Sequence, residues 1–571
     1  MEKQKKRIAI LGAGPSGLFM FKRLVASKLV DFEIDIYERK MQLGAGMPYS
    51  TEGANVEHIT NVSDNEIPQI VTSIEEWVTI APREILDKFN IHPENFNEYK
   101  VLPRLFFGHY LSAQFDLLLQ AAEKAGITIR VHLGSTVQDI IYTSNEDKVG
   151  VEVKGTGIQM FDRVIICTGH NWPAKHEGYV PGYYDAPYPP SKLALQLNHP
   201  VAIKGSSLTA IDAIRTLARN NGTFIKNDHG KLSFQPSQES SGFKMVMHSR
   251  SGLLPALRFH LEDSHLSNKS LLTPEQIAEY RAANDGFLSL DYVFEKDFKD
   301  MFLTKDPAFY QRIKNMRIEE FVETMMELRE RLEPFQLLKA EYVEAEQSIK
   351  RKESVYWKEM LAVLSFAMNY PAKYLSAEDM QRLQKVLMPL ISIVIAFVPQ
   401  SSCTELLALN DAGVLDIVSV GSDGQVEPKT EGGITYHYTD ENNTRRSDYY
   451  KTFVDCVGQP HLSYKDLPFK SLVTHKIVSP AQLRFQSAEE GKRAMEAGNN
   501  EVVQDEHGDF YLSVPGITIN DDFQVIDSYG AFNNRIFIMA VPYIGGFNPD
   551  YSGLDFCEAA SERIVKRIME N

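Results

Sequence analysis

Cysteine is scarce in this sequence. Cys167, Cys403, Cys456 and Cys557 lie far apart among 571 residues, with no CxxC and no metal-ligand spacing. That pattern excludes a disulfide-stapled secreted scaffold and a zinc ribbon, and no metal site is expected. It reads as buried thiols in a reducing, cytoplasmic compartment. Long hydrophobic runs are missing too. The longest, Val386 to Val398, is too short to span a bilayer and contains Pro389 and Ser392, so no membrane partner is expected. The apolar stretch near the start meets glycines too early, and no small-residue cleavage site comes after it, which argues against a signal peptide. Positive charge is in deficit: Lys plus Arg is 60 against 76 for Asp plus Glu, a net −16. Such a surface repels phosphate backbones on average, so nucleic acid is not an expected partner. What remains is an ordinary globular composition, 43% hydrophobic and 24% charged, long enough for roughly four units.

The chain opens as strand, tight turn, helix and strand. Arg7 to Leu11 is a buried-strand run, Gly12 to Gly17 a glycine turn, Leu18 to Ser27 has helical spacing, and Phe32 to Glu38 ends on an acid. A second unit begins at Pro200, with strand Val201 to Lys204, Gly205, helix Thr209 to Arg219 and strand Phe243 to His248. Two βαβ units predict an α/β fold with two Rossmann-like dinucleotide-binding domains, the second nested in the first. From about Thr273 to Pro399 the texture becomes helical and charge-rich, as in Arg317 to Arg331 and Leu337 to Arg351. The expected division is 1–199 and 461–571 for the first domain, 200–270 and 401–460 for the second, and 271–400 for a helical insertion.

The first motif carries the clearest chemistry. In Gly12-Ala13-Gly14-Pro15-Ser16-Gly17, Gly12 permits the tight turn, Gly14 admits a pyrophosphate to the backbone, and Gly17 lets helix and strand pack. The helix start offers unpaired N–H groups and a positive dipole end to phosphates. Glu38, 26 residues after Gly12, can accept from ribose hydroxyls. Arg39 beside it joins Gly12, Gly14, Pro15, Ser16, Gly17 and Glu38 as a candidate cofactor contact. A glycine turn by chance is the competing reading, and the flanking strand, helix and acid weigh against it.

Phe161 to Gly169 is a hydrophobic strand ending in Thr168-Gly169, and Arg535 to Ala540 leads into Gly545-Gly546 and a last helix. With these segments the chain resembles the flavoproteins with two dinucleotide-binding domains. The resemblance implies that both segments complete an FAD site, although Val541-Pro542-Tyr543-Ile544-Gly545-Gly546-Phe547 departs from the usual acid-containing motif. Lys204-Gly205-Ser206-Ser207-Leu208-Thr209 resembles the second dinucleotide motif of the same family, with Ser207 in place of the middle glycine. That β-carbon narrows the approach, while its hydroxyl can bond a phosphate oxygen; a vestigial turn kept for packing is the alternative. The next strand ends in His248-Ser249-Arg250 without an acid. Ser249 and Arg250 suit a 2′-phosphate, so NADPH is preferred to NADH, the alternative being that Arg250 is a plain surface charge. Phe453 to Pro460 looks like the strand returning between the domains.

Gly44-Ala45-Gly46-Met47-Pro48-Tyr49-Ser50, His58-Ile59-Thr60-Asn61, Pro103-Arg104-Leu105-Phe106-Phe107-Gly108 and Pro181 to Pro189 narrow the likeness. Together they resemble the bacterial FAD–NAD(P)-binding family related to class B flavin monooxygenases, among them the aspartate N-monooxygenases that form nitrosuccinate. The resemblance implies that NADPH reduces FAD, that a C4a-hydroperoxide forms with dioxygen, and that a small, amino-acid-like amine is hydroxylated. It places His58 and Asn61 near the flavin ring and offers Arg104 as a carboxylate partner. The bland readings are a loop cap for His58 and Asn61 and a structural ion pair for Arg104. The histidine of the ketone-oxygenating linker is missing from Gly182 to Tyr188, which favours N-oxygenation. Two other functions stay open, an NAD(P)H-dependent flavin oxidoreductase without oxygen insertion and a flavin-binding redox module with a degenerate nicotinamide site. The insertion either covers the active site or forms a homo-oligomer interface.

Overall fold

The computed structural model describes residues 5–142, 147–170, 172–262, 271–459, 462–550 and 553–570. Pro460, where the expected return strand ends, and the expected domain edges at 270 and 461 lie outside them. A six-stranded sheet runs in the order Gln524–Ile526, Phe532–Ile538, Arg163–Ile166, Lys6–Leu11, Phe32–Tyr37, Thr128–His132. All neighbours are parallel except the first pair. Ile8, Ala9 and Ile10 are fully buried, because parallel strands covered on both faces need continuous apolar runs rather than alternation. Helix Pro15–Ala26 packs on one face between helix Arg104–Lys124 and the last helix, Leu554–Glu570.

A second, wholly parallel sheet has the order Leu415–Ser419, Lys244–Ser249, Pro200–Lys204, Thr452–Asp455, Tyr183–Tyr184. Its edge strand comes from residues ahead of position 200: Tyr183 pairs with buried Phe453, the two rings tilted at 50° with centroids 4.8 Å apart. Helix Leu208–Asn221 comes directly after strand Pro200–Lys204 in the chain, and its Ile211, Ile214 and Leu217 enter the apolar core around this sheet. The doubly wound arrangement is thus present twice, and the fold is α/β with two Rossmann-like sheets.

Between Pro274 and Val394 the described elements are helices, among them Tyr356–Ala367, which has no exposed residue and buries even Lys358 and Glu359. One apolar core runs from the first sheet into this segment through Phe294, Phe298 and Leu390. A second core surrounds the second sheet and takes in Phe335, Leu338 and Ala362. The insertion therefore stands on both domains. Among the described residues no helix is long and apolar enough to cross a membrane.

Candidate cofactor and active site

A cavity of about 730 Å³ opens where the first strand meets its helix, and Gly12, Gly14, Pro15 and Ser16 form its floor. The turn works as the residue types require. Gly12 has φ +101°, and a Cβ there would lie 2.7 Å from the Cys167 carbonyl oxygen. A Cβ on Gly17 would lie 2.1 Å from the Gly12 oxygen, so Gly17 serves helix–strand packing and does not face the cavity. At Gly14 the obstacle is Gly46, whose Cα would be 3.1 Å away. Two glycine backbones approach there and leave the space above them open. Gly14 caps the helix without a side-chain hydrogen bond, and the first turn carries no acid. Its N–H groups and dipole end are available to an anion.

An FAD molecule fits this lining chemically. Thr168 Oγ1 is buried and has no hydrogen-bond partner among the described residues, and it faces the same space as Gly169. A phosphate or ribityl oxygen would satisfy it. Glu38 is buried at the end of the second strand, where its carboxylate accepts from Ala13 N–H at 2.8 Å and Lys40 N–H at 3.0 Å. The acid thus shapes the turn and keeps lone pairs for a ribose. Arg39 lies at the mouth, largely exposed and 3.5 Å from Glu52. Ser16 Oγ contacts Cys557 Sγ at 3.4 Å.

The two cysteines of this lining, Cys167 and Cys557, are free and buried. Burial pushes the Cys557 thiol up to about 12 and raises that of Cys167 as well. Both stay protonated at neutral pH, which makes them poor nucleophiles. Tyr49, also lining the cavity, is pushed by burial to about 12.

The far end of the cavity lies under the insertion. Ala362, Ile395 and Phe397 roof it, Asn61, Val62 and Glu66 close one side, and Val541, Pro542 and Tyr543 another. Asn61 is held from behind: Arg258, only 4% exposed, donates to the Asn61 carbonyl, to Ser63 Oγ and to Glu66.

The three residues expected beside the reaction separate here. Asn61 reaches the cavity; His58 and Arg104 do not line it. Arg104 gives both guanidinium ends to Asp212, at 2.6 and 3.0 Å, and its Nε to the Ile59 carbonyl at 3.2 Å. Tyr188 OH adds a bond to the same carboxylate at 2.7 Å. His58 Nδ1 accepts from Asn55 N–H, and its Nε2 lies 3.2 Å from the Asp212 carbonyl and 3.0 Å from Thr216 Oγ1. Burial lowers the His58 pKa, so the ring stays neutral. These side chains are a buried clasp between the first domain and helix Leu208–Asn221, and Arg104 has no free face for a cofactor or substrate carboxylate.

Gly545 and Gly546, also expected at the cofactor, stay behind the wall. Both are buried, and a Cβ on Gly546 would lie 2.4 Å from the Val514 side chain. Gly553, Leu554 and Asp555 at the start of the last helix face the cavity instead. Ser135 to Val137, Phe397 and Arg258 are further residues that sequence reading did not single out. The one legible hint was Gly44-Ala45-Gly46, whose second glycine permits the approach to Gly14.

The second turn repeats the first. Gly205 has φ +105°, and its Cβ would meet the Cys456 oxygen at 2.9 Å, as Gly12 meets Cys167. Ser207 stands at the helix cap where the first turn has Gly14, with no side-chain cap bond. Ser206 Oγ donates to the Leu253 carbonyl at 2.7 Å, so it braces the turn, and Thr209 sits in the first helical turn. Ser249 ends its strand, and the exposed Arg250 after it makes no ion pair among the described residues. None of these six residues lines the large cavity. The two domains are nevertheless linked through the segments after strands Arg163–Ile166 and Thr452–Asp455: His170 Nδ1 lies 3.0 Å from Gln459 Oε1, and Trp172 Nε1 donates to the Gly458 carbonyl at 3.1 Å.

Fold and lining together define an α/β architecture with two Rossmann-like units, the first holding a cavity whose lining suits FAD. Residues 9–171 match the family model described as FAD-NAD(P)-binding, and residues 273–395 match the YdhS-like middle domain. Among curated proteins the chain is similar to the uncharacterized protein YdhS of Escherichia coli (strain K12). The two are 28% identical over 473 residues, covering 82% of this chain and 86% of that one. Among solved structures it is similar to the ornithine N-hydroxylase KtzI of Kutzneria sp. 744, at 14% identity and a TM-score of 0.44 over 99% of each chain. It is also similar to the cadaverine monooxygenase DfoA of Erwinia amylovora, at 12% identity and a TM-score of 0.45, covering 100% of this chain and 95% of that one.

Proposed function

We propose that this protein is an NADPH-dependent FAD monooxygenase that hydroxylates a small polar amine. The observation that carries the reading is the large cavity itself. It runs from an uncapped helix start, past an unpartnered threonine hydroxyl, to the apolar side chains of Ala362, Ile395 and Phe397. When bound, FAD supplies hydride acceptance from NADPH and activation of dioxygen. The chain supplies the rest. The Gly12–Ser16 turn grips the diphosphate, the insertion keeps water from the reacting end, and Asn61, braced by Arg258, offers an amide to cofactor or substrate. A desolvated end also favours the neutral, nucleophilic form of an amine. Thiol–disulfide chemistry is disfavoured, because Cys167 and Cys557 are held protonated by burial.

On the second turn, Arg250 is free to make charge-assisted bonds to a 2′-phosphate, and Ser249 can add a hydroxyl. The test is anaerobic titration of the purified yellow protein with NADPH and with NADH, followed by air and a panel of small amines. NADPH is expected to bleach the flavin, with oxygen uptake coupled to hydroxylated product for one amine. Arg250→Ala should raise KM for NADPH by about tenfold or more and leave NADH unchanged, the scale of one charge-assisted bond. Failure of both nucleotides to bleach the flavin would sink the proposal. So would quantitative release of oxygen as peroxide with every amine tried.

A further inference from the structure

A second cavity, of about 250 Å³, lies between the insertion and the last helix. The two cavities meet at one segment: Asn548 lines the second, and Asp550 lines the first. Asn369 joins them, its Oδ1 accepting from Asp550 N–H at 3.0 Å. The walls are mostly apolar, with Ile277, Phe366, Phe523 and Phe556 among them.

Most of the polar groups in these walls are satisfied. Asp521 takes Tyr370 OH at 3.0 Å, Tyr374 OH at 2.6 Å and Lys373 Nζ at 2.9 Å. Three groups are left over. Asp297 is 2% exposed; its Oδ1 accepts Leu272 N–H at 2.8 Å, and it has no cation within ion-pair distance among the described residues. Arg563 lies over the Tyr370 ring at 4.2 Å and its Nη1 reaches only the Asp521 main-chain carbonyl, at 3.5 Å; among the same residues it has no carboxylate partner. Asn369 Nδ2 is buried without an acceptor among them. An unpaired buried carboxylate and an unmet buried donor each cost free energy that a chain can avoid with apolar residues. Here an anion without a cation, a cation without a carboxylate and an unmet donor line one mostly apolar space.

We propose that this cavity binds a small zwitterion with an apolar body, its ammonium group on Asp297 and its carboxylate on Arg563 and the Asn369 amide. Burial raises the Asp297 carboxyl to about 6, so the group is still charged at neutral pH and gains most from an arriving cation.

Isothermal titration of the flavin-loaded full chain tests this with L-leucine, ε-aminocaproate, caproate and hexylamine. Either zwitterion, according to the spacing the site sets, is expected to bind about tenfold tighter than both single-charge analogues, the scale of one charge-assisted bond. Asn369→Asp keeps the acceptor for Asp550 and replaces the lone donor with a negative oxygen. Asp297→Asn keeps the acceptor for Leu272 and removes the charge. Each should weaken the zwitterion about tenfold or more without loss of flavin, and Asp297→Asn should melt no lower than the parent. Neither residue lines the flavin cavity; Asn369 touches it only through Asp550 N–H, so Asp297→Asn is the variant that reports on this space alone. The assignment falls if neither zwitterion binds at millimolar concentration, if caproate or hexylamine binds as tightly, or if both variants bind like the parent.

Discussion

Arg104 and Asp212 show how a reactive-looking residue type is claimed by structure. The pair is nearly dry, with side-chain exposures of 16% and 5%, and its geometry is forked. Arg104 holds the Asp212 carboxyl below the usual carboxylate range, against the opposing effect of burial. Arg104→Met would leave that carboxylate buried without its cation, so we expect a loss of about 3–5 kcal/mol at neutral pH, the usual scale for breaking a buried pair. The sign with pH comes from the depressed pKa. The stabilisation is complete above the ordinary aspartate range and is lost as pH falls through the lowered value. Urea melts of parent and variant should therefore differ most near pH 7 and converge in acid. Equal melts at neutral pH would show that the clasp contributes nothing. From sequence, Arg104 offered two readings of similar weight. The choice depended on Asp212, 108 residues away, whose approach is set by how the two domains dock.

At the scale of elements, the two glycine turns were legible because their chemistry is local. A positive φ and a helix start are fixed within a few residues, and strand–turn–helix spacing reports them, whereas the carbonyls that crowd Gly12 and Gly205 come from Cys167 and Cys456, far along the chain. The C-terminal pair Gly545-Gly546 was legible as glycine but not as function. Whether a glycine faces ligand or wall depends on a partner such as Val514, which no spacing reveals. The two turns also make a sharp comparison. Gly14 has φ −74°, so the backbone does not require glycine there; the space does. Gly14→Val would drive its side chain toward Gly46 and into the path of the diphosphate. We expect protein without yellow colour that flavin cannot reconstitute, checked by absorbance after denaturing release of the cofactor. Full flavin occupancy would show that the diphosphate does not pass over Gly14.

For the whole molecule, the helical texture between about 273 and 399 was visible in the sequence, and its position over the flavin cavity was not, since Ala362, Ile395 and Phe397 carry no signal beyond apolarity. Topology and packing give opposite forecasts for this segment. The chain leaves and returns at one place: Ala256 N–H donates to the Ile393 carbonyl at 2.9 Å, and Val398 N–H donates to the Ala256 carbonyl at 3.1 Å. By connectivity, the residues between could be excised and the ends joined. Packing says otherwise, because both apolar cores continue into the insertion, one through Phe294 and Leu390, the other through Phe335, Leu338 and Ala362. Each large apolar side chain stripped of its cover costs about 1.5–3 kcal/mol, and a domain has only about 5–15 kcal/mol in total. Exposing even half a dozen such contacts outweighs the modest entropic gain from a shorter loop. Packing should win. A chain with the insertion replaced by a short glycine–serine linker is expected in the insoluble fraction, or as a colourless species that binds a hydrophobic dye. A soluble, yellow product with a cooperative thermal transition would mean that the two domains close their own cores and that the insertion is an added roof.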